Sequence, residues 1–366
     1  MSTNDTKEKH RPSFNEIAQH FNPAWFAAVM GTAVIPLAIS FISSPLLRPI
    51  AGVFMLMAAA MFFAMLAPWV WRFVRYPADV RRDLSHPVAA NFFPTMPISL
   101  IIIALDLLKY PDLFFPPAVS REIAFYLWLV GALSIYVFGF IILERIYRHD
   151  GIKLNHANFG WYIPPVSKLL IPVAGFELAQ IFPARTELTF SLSMMSLGVG
   201  FFLFLFVGAA VYHRYIFEQL PMPRFAATFF IGIAPTAIIS VDLFKMMHLF
   251  EAQPGIGIDP HVFGVVAKLG ILMSWGFAVW WFIMALLVIA HYIRRLDLPY
   301  ALSWWAFTFP AGALGVSSGV AWKVSNFGAI QVFYYGVLVF LVVVWAAVLV
   351  RTLRGVISGQ VFAPAH

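Results

Sequence analysis

Apolar runs long enough to cross a bilayer alternate with short polar breaks along almost the whole chain. Ten runs can be marked, roughly 22–43, 47–73, 88–108, 122–146, 159–181, 188–217, 225–250, 261–293, 301–322 and 326–350. About 20 consecutive apolar residues make a helix that spans the hydrocarbon core, so each run predicts one transmembrane helix. The breaks are short, which predicts antiparallel helical hairpins. The expected protein is therefore all-α and polytopic. Residues 1–20 form a polar N-terminal segment with no secretory pattern, 21–350 a ten-helix membrane domain, and 351–366 a C-terminal tail.

A second pattern is superimposed on the first. The third run contains "NFFPTMP", ending at Pro97. The fifth contains "NFGWYIPP", with Pro164. The seventh contains "TFFIGIAP", ending at Pro235, and the ninth "WWAFTFP", ending at Pro310. In each, aromatic residues lie about one turn before a proline. The first run reads "AWFAAVMG", with Gly31 in the proline's place, and successive copies are 66 to 75 residues apart. This is five copies of a two-helix unit. Proline inside a helix removes a hydrogen bond and clashes with the preceding turn. Broken backbone is tolerated in a membrane only where it is buried in protein or lines a water-filled cavity. The reading that follows is a quasi-fivefold ring of five hairpins. The odd helices would lie inside, with their breaks at one depth around a pathway, and the even helices outside. Gly312, Gly315 and Gly319 would let neighbours approach closely around the ninth run.

Composition sharpens the class. Of 366 residues, 61% are hydrophobic and 11% charged, and mean hydropathy is +0.83, too apolar for an ordinary soluble domain. No cysteine is present, which excludes disulfides, thiolate metal sites and cysteine nucleophiles. The net charge of +7 is mostly loop charge and is not a nucleic-acid footprint. Of the 24 basic residues, 16 fall on the side of the N-terminus and five on the other. The positive-inside rule then places both termini in the cytoplasm.

The stretches "FNPAWFAAVMGT", "HPVAANFFPTMP", "NFGWYIPP" and "WWAFTFP" resemble the tellurite-resistance/dicarboxylate transporter family. That family includes plant slow-type anion channels, bacterial tellurite-resistance channels, malate transporters and sulfite efflux pumps. The resemblance covers about residues 21 to 350. It implies ten helices in a quasi-fivefold pore, a homotrimer in a bacterial-type inner membrane, small anions as the transported partners, and no cofactor. It also implies that the phenylalanine before the ninth-run proline, here Phe309, plugs the pore.

Met30, Met96, Ile163 and Ala234 stand beside the other four breaks as Phe309 does beside its own. A ring of apolar side chains at one level gates by excluding water. A membrane phenylalanine ordinarily packs in the core or against lipid, and it is position that separates Phe309 from the other 37 of 38. Lys168 lies one turn past Pro164, about mid-span. A charge there is expensive, so it is a candidate for attracting anions or half of a buried pair. Asp242 with Lys245, and Asp106 with Lys109, have the spacing of helical ion pairs. Glu177 has no basic residue at helical spacing and is the candidate for proton coupling. The ten histidines show no zinc spacing, and His86 is expected to cap or position the third helix. No metal, nucleophile or acid–base cluster points to an enzyme.

Two functions compete. One is an anion channel, or a channel-like transporter, for small inorganic or C4-dicarboxylate anions. The other is a proton-coupled secondary transporter of malate, sulfite or tellurite. A parallel fivefold repeat suits a fixed pore, whereas alternating access more often uses inverted repeats.

Overall fold

The computed structural model describes residues 12–359, apart from 149, 254, 256, 257 and 297. Lys7, Lys9 and Arg11 of the expected N-terminal segment and residues 360–366 of the expected tail lie outside the described residues. What is described is helical, with no strand. The helices are α1 (Phe14–Gln19), α2 (Phe26–Ile39), α3 (Leu47–Arg75), α4 (Pro77–Leu84), α5 (Thr95–Lys109), α6 (Pro117–Tyr147), α7 (Ile163–Ile181), α8 (Thr186–Phe217), α9 (Ala234–Ala252), α10 (Pro260–Arg295), α11 (Thr308–Ser325) and α12 (Gly328–Ile357).

Seven helical stretches are long and apolar enough to cross a membrane: Leu47–Arg75, Ala89–Lys109, Pro117–Tyr147, Pro183–Phe217, Pro223–Ala252, Pro260–Arg295 and Gly328–Ile357. The chain is thus an integral membrane protein. The expected spans 22–43, 159–181 and 301–322 fall short for physical reasons. The helix Pro23–Ile39 is short. α7 carries Lys168, Glu177 and three prolines, and α11 is rich in glycine and serine. Those residues face protein. Nearly every residue of α2, α7 and the first four turns of α11 is buried.

Burial separates two classes of helix. The apolar windows of Ala89–Lys109 and Pro223–Ala252 are each 89% buried, while those of the other five long stretches are 17% to 39% buried. A helix that hides its whole circumference needs no lipid-compatible face, so it can carry small and polar residues. α2 packs on α3, α5 on α6, α7 on α8, α9 on α10 and α11 on α12. α2 also packs on α5, α5 on α7, α7 on α9, α9 on α11, and α11 back on α2.

The contact between α11 and α2 joins the two ends of the sequence. A Cβ on Gly31 would lie 1.9 Å from Thr308 Oγ1, and one on Gly312 would lie 2.2 Å from Val34 Cγ1. Gly315 faces Ala38, and Gly319 faces the Phe41 ring. At Gly31, Gly312 and Gly319 a side chain would collide across the seam, whereas at Gly315 a Cβ would just touch Ala38 at 3.4 Å. Two hydrogen bonds from α12 close the same seam, Tyr334 Oη to the Ala38 carbonyl at 2.8 Å and Trp345 Nε1 to Thr32 Oγ1 at 3.0 Å.

Candidate functional site

The repeated prolines do not interrupt α-helices in mid-run. Pro164 and Pro235 occupy the second position of α7 and α9, and Pro97 and Pro310 the third position of α5 and α11. A proline in the first turn loses no intrahelical bond, because that N–H has no partner in any helix. The segments just before these helices wind as 3₁₀ turns instead: Ala89–Phe92, Phe159–Tyr162, Pro223–Ile233 and Leu302–Phe307. The change of winding is the break. Before α2 a 3₁₀ turn, Pro23–Trp25, does the same, and Gly31 lies inside an unbroken α2, where its lack of a side chain admits Thr308.

Threonine hydroxyls donate to carbonyls of these 3₁₀ segments. Thr95 Oγ1 donates to the Phe92 carbonyl at 2.6 Å, Thr228 to Phe225 at 2.6 Å, and Thr308 to Trp305 at 2.7 Å. His86 positions the start of this segment, its Nδ1 accepting from the Val88 and Ala89 amides at 3.1 Å each.

Two cavities lie among α2, α5, α7, α9 and α11. The first holds about 50 Å³ and is lined by Met30, Ile98, Val166, Ala234 and Phe309, with Ile163, Pro310 and residues of the 3₁₀ turns around them. The second holds about 40 Å³ and is lined by Val34 and Leu37, Ile102 and Leu105, Leu170 and Val173, Ile238 and Val241, and Phe309, Ala313 and Val316. Each helix thus contributes one stripe at i, i+4 and i+7, beginning at Met30, Ile98, Val166, Ala234 and Phe309, as residues on one helix face must. Phe309 is the residue the two cavities share. Thr95, Thr228 and Ser303 are the hydroxyl residues of the first lining, and all three donate to backbone carbonyls. The second lining has no polar side chain. Spaces of this size and polarity hold a few water molecules at most.

The sequence-predicted residues divide accordingly. Met30, Ile163, Ala234, Phe309 and Pro310 line the first cavity; Gly31, Met96, Pro97, Pro164 and Pro235 line neither. Ile98 and Val166 share the first lining with Phe309 and are not among the sequence-predicted residues. No fixed offset from the proline selects them: Ile98 lies one residue after Pro97 and Val166 two after Pro164, whereas Ala234 and Phe309 lie one before Pro235 and Pro310.

Lys168 is buried and points away from both cavities. It lies two residues beyond Val166, on the far side of α7, where its Nζ donates to the Pro164 carbonyl at 3.3 Å and lies 6.0 Å from the centre of the Tyr136 ring of α6. Gly139 of α6 leaves space for it, since a Cβ there would lie 2.5 Å from Nζ. No carboxylate pairs with it among the described residues. Glu177 has a partner that helical spacing could not reveal, because Lys245 reaches it from α9. The expected Asp242–Lys245 and Asp106–Lys109 pairs are absent. Asp106 and Asp242 are instead buried, and neither carboxylate has a hydrogen-bond partner among the described residues. No three His, Asp or Glu side chains gather as a metal site among the described residues.

Comparison with known proteins adds what geometry alone does not. The voltage-dependent anion channel family profile matches residues 20–353. The chain belongs to this family. Among its relatives, an uncharacterised transporter of Methanocaldococcus jannaschii is 34% identical over 95% of this chain and 96% of its own. The malic acid transport protein of Schizosaccharomyces pombe is 22% identical over 98% of this chain and 84% of its own. A sulfite efflux pump of Arthroderma benhamiae is 23% identical over 83% of each. The voltage-dependent anion channel family thus joins channels and transporters of small anions, and the match takes in all five cavity-lining helices.

Proposed function

We propose that this protein is a transmembrane anion channel, or channel-like transporter, for small inorganic or C4-dicarboxylate anions, with Phe309 as its plug. In this reading the ten helices form five hairpins in a quasi-fivefold ring, α2, α5, α7, α9 and α11 surround the pathway, and the two cavities are segments of it. The ring assembles as a homotrimer in the inner membrane with both termini cytoplasmic. The observation that carries the reading is the position of Phe309. Its ring borders both cavities, and in this reading its removal joins them. An apolar constriction excludes water, and with it a hydrated ion.

The test is anion flux into proteoliposomes for wild type and Phe309→Ala. The variant raises flux well above wild type and remains folded, because Pro310 still fixes the start of α11. A phenylalanine that served only as core would lose about 3–5 kcal/mol on truncation without any gain in flux, and that result rejects the plug.

A second reading, proton-coupled secondary transport, draws support from Asp106 and Asp242. Two carboxyl groups buried in membrane helices without partners among the described residues have the environment of proton carriers. Glu177, held by Lys245, does not. Anion accumulation driven by an imposed proton gradient separates this reading from a passive channel.

A further inference from the structure

The cavity stripes continue past the second cavity. One turn beyond Leu105, Val173 and Val241, on the same faces of their helices, come Lys109, Glu177 and Lys245, and Phe41 lies just past the end of α2. Two turns beyond Val316 comes Lys323 of α11, whose ammonium returns over the Phe41 ring at 5.2 Å. Four of the five helices thus bring a charged side chain to one end of these stripes. Lys245, Lys323 and Glu177 are the charged groups nearest in effect to Lys109. Glu177 engages Lys245. Lys109 and Lys323 are exposed and have no ion pair among the described residues.

We propose that Lys109, Lys245 and Lys323 form an anion-recruiting site at this mouth, and that Glu177 occupies one third of it as a built-in carboxylate. Three ammonium groups against one carboxylate leave an excess of two positive charges where the apolar stripe ends. The ligand class is a doubly charged small anion, a dicarboxylate or a divalent oxyanion. Its carboxylate does to Lys109 and Lys323 what Glu177 already does to Lys245. Clustered like charges beside low-dielectric walls raise the local concentration of the opposite ion, and a ring of lysines selects anions. The ammonium groups are strongly hydrated point charges rather than rigid forks, so the site recruits and releases instead of holding.

This inference rests on the anion-pathway reading, so the test is made in the unplugged Phe309→Ala background. Concentration dependence of flux is measured with malate and with chloride for that protein and for Lys109→Gln/Lys323→Gln, Lys109→Arg/Lys323→Arg and Glu177→Gln placed upon it. The glutamine pair raises the half-saturating malate concentration by about tenfold, on the order of a two-charge steering effect, and chloride less. The arginine pair restores it. Glu177→Gln frees Lys245 and lowers it. Equal half-saturation in the glutamine and arginine pairs, or a rise with Glu177→Gln, overturns the site while leaving the pathway intact. Should Phe309→Ala itself carry no anion, it is the pathway reading that falls.

Discussion

Lys168 is buried on the face of α7 that packs against Gly139 of α6. A mid-span lysine is expensive, and the sequence alone allows either a pathway charge or a buried pair. The ammonium instead occupies a notch made by Gly139 and is held by one carbonyl, with an aromatic face nearby. Without a carboxylate partner, its removal strands no opposite charge, so the usual penalty of about 3–5 kcal/mol for breaking a buried pair does not arise. Lys168→Met, which keeps the length of the side chain, is expected to unfold at the same temperature as wild type or higher. Malate and chloride flux should not change. Loss of flux in a fully stable variant would return Lys168 to the pathway. Asp106 and Asp242 make the complementary point, since both have a lysine three residues ahead and neither uses it.

At the scale of the helix, what was legible and what was not has a simple division. The apolar runs match helices closely because lipid and protein interior both demand apolar surface; the run 47–73 became Leu47–Arg75 and 261–293 became Pro260–Arg295. The aromatic–proline motifs correctly marked a change in the backbone. Its nature was hidden, because proline forbids one hydrogen bond without saying whether the chain ahead of it unwinds or tightens to a 3₁₀ turn. Side-chain direction was the other unreadable quantity. Met96 and Ile98 are equally apolar, and only the register of α5 against its neighbours turns Ile98 to the cavity. Partners across helices, such as Lys245 for Glu177, are invisible to spacing within one helix. The glycines of α11 provide a test at this scale. A valine at Gly312 would drive its Cβ into Val34, whose Cγ1, Cγ2 and Cβ lie 2.2, 2.7 and 3.0 Å away. Gly312→Val is expected to cost about 1–3 kcal/mol by overpacking, read as a lower unfolding midpoint in detergent. A midpoint equal to wild type would show that α2 and α11 are free to separate.

For the whole molecule, the seam between first and last units is the feature that makes the helix contacts a closed cycle. It can be locked. The chain has no cysteine, and a Cβ built on Gly315 lies 3.4 Å from the Ala38 Cβ. That is within a few tenths of an ångström of the separation of about 3.5–4.5 Å that a disulfide spans. Ala38→Cys/Gly315→Cys should therefore oxidise to a single intramolecular bond, seen as a faster band on non-reducing gels. It should also raise the unfolding midpoint reversibly with reductant. Thiols that stay free under oxidant would mean that α2 and α11 do not face each other as described.

The same seam sets the order in which the protein can be made. Tyr334 bonds to a residue 296 positions earlier, and Trp345 to one 313 earlier. Loops of that length close last, after local pairs have formed. While the ribosome is still at work, α2 therefore waits in the bilayer with its glycine-matching face uncovered. Until α11 arrives, that face is open to any other small-residue helix. A nascent chain stalled before residue 308 has four units and an unsealed edge. That intermediate exposes a helix face that the finished protein covers.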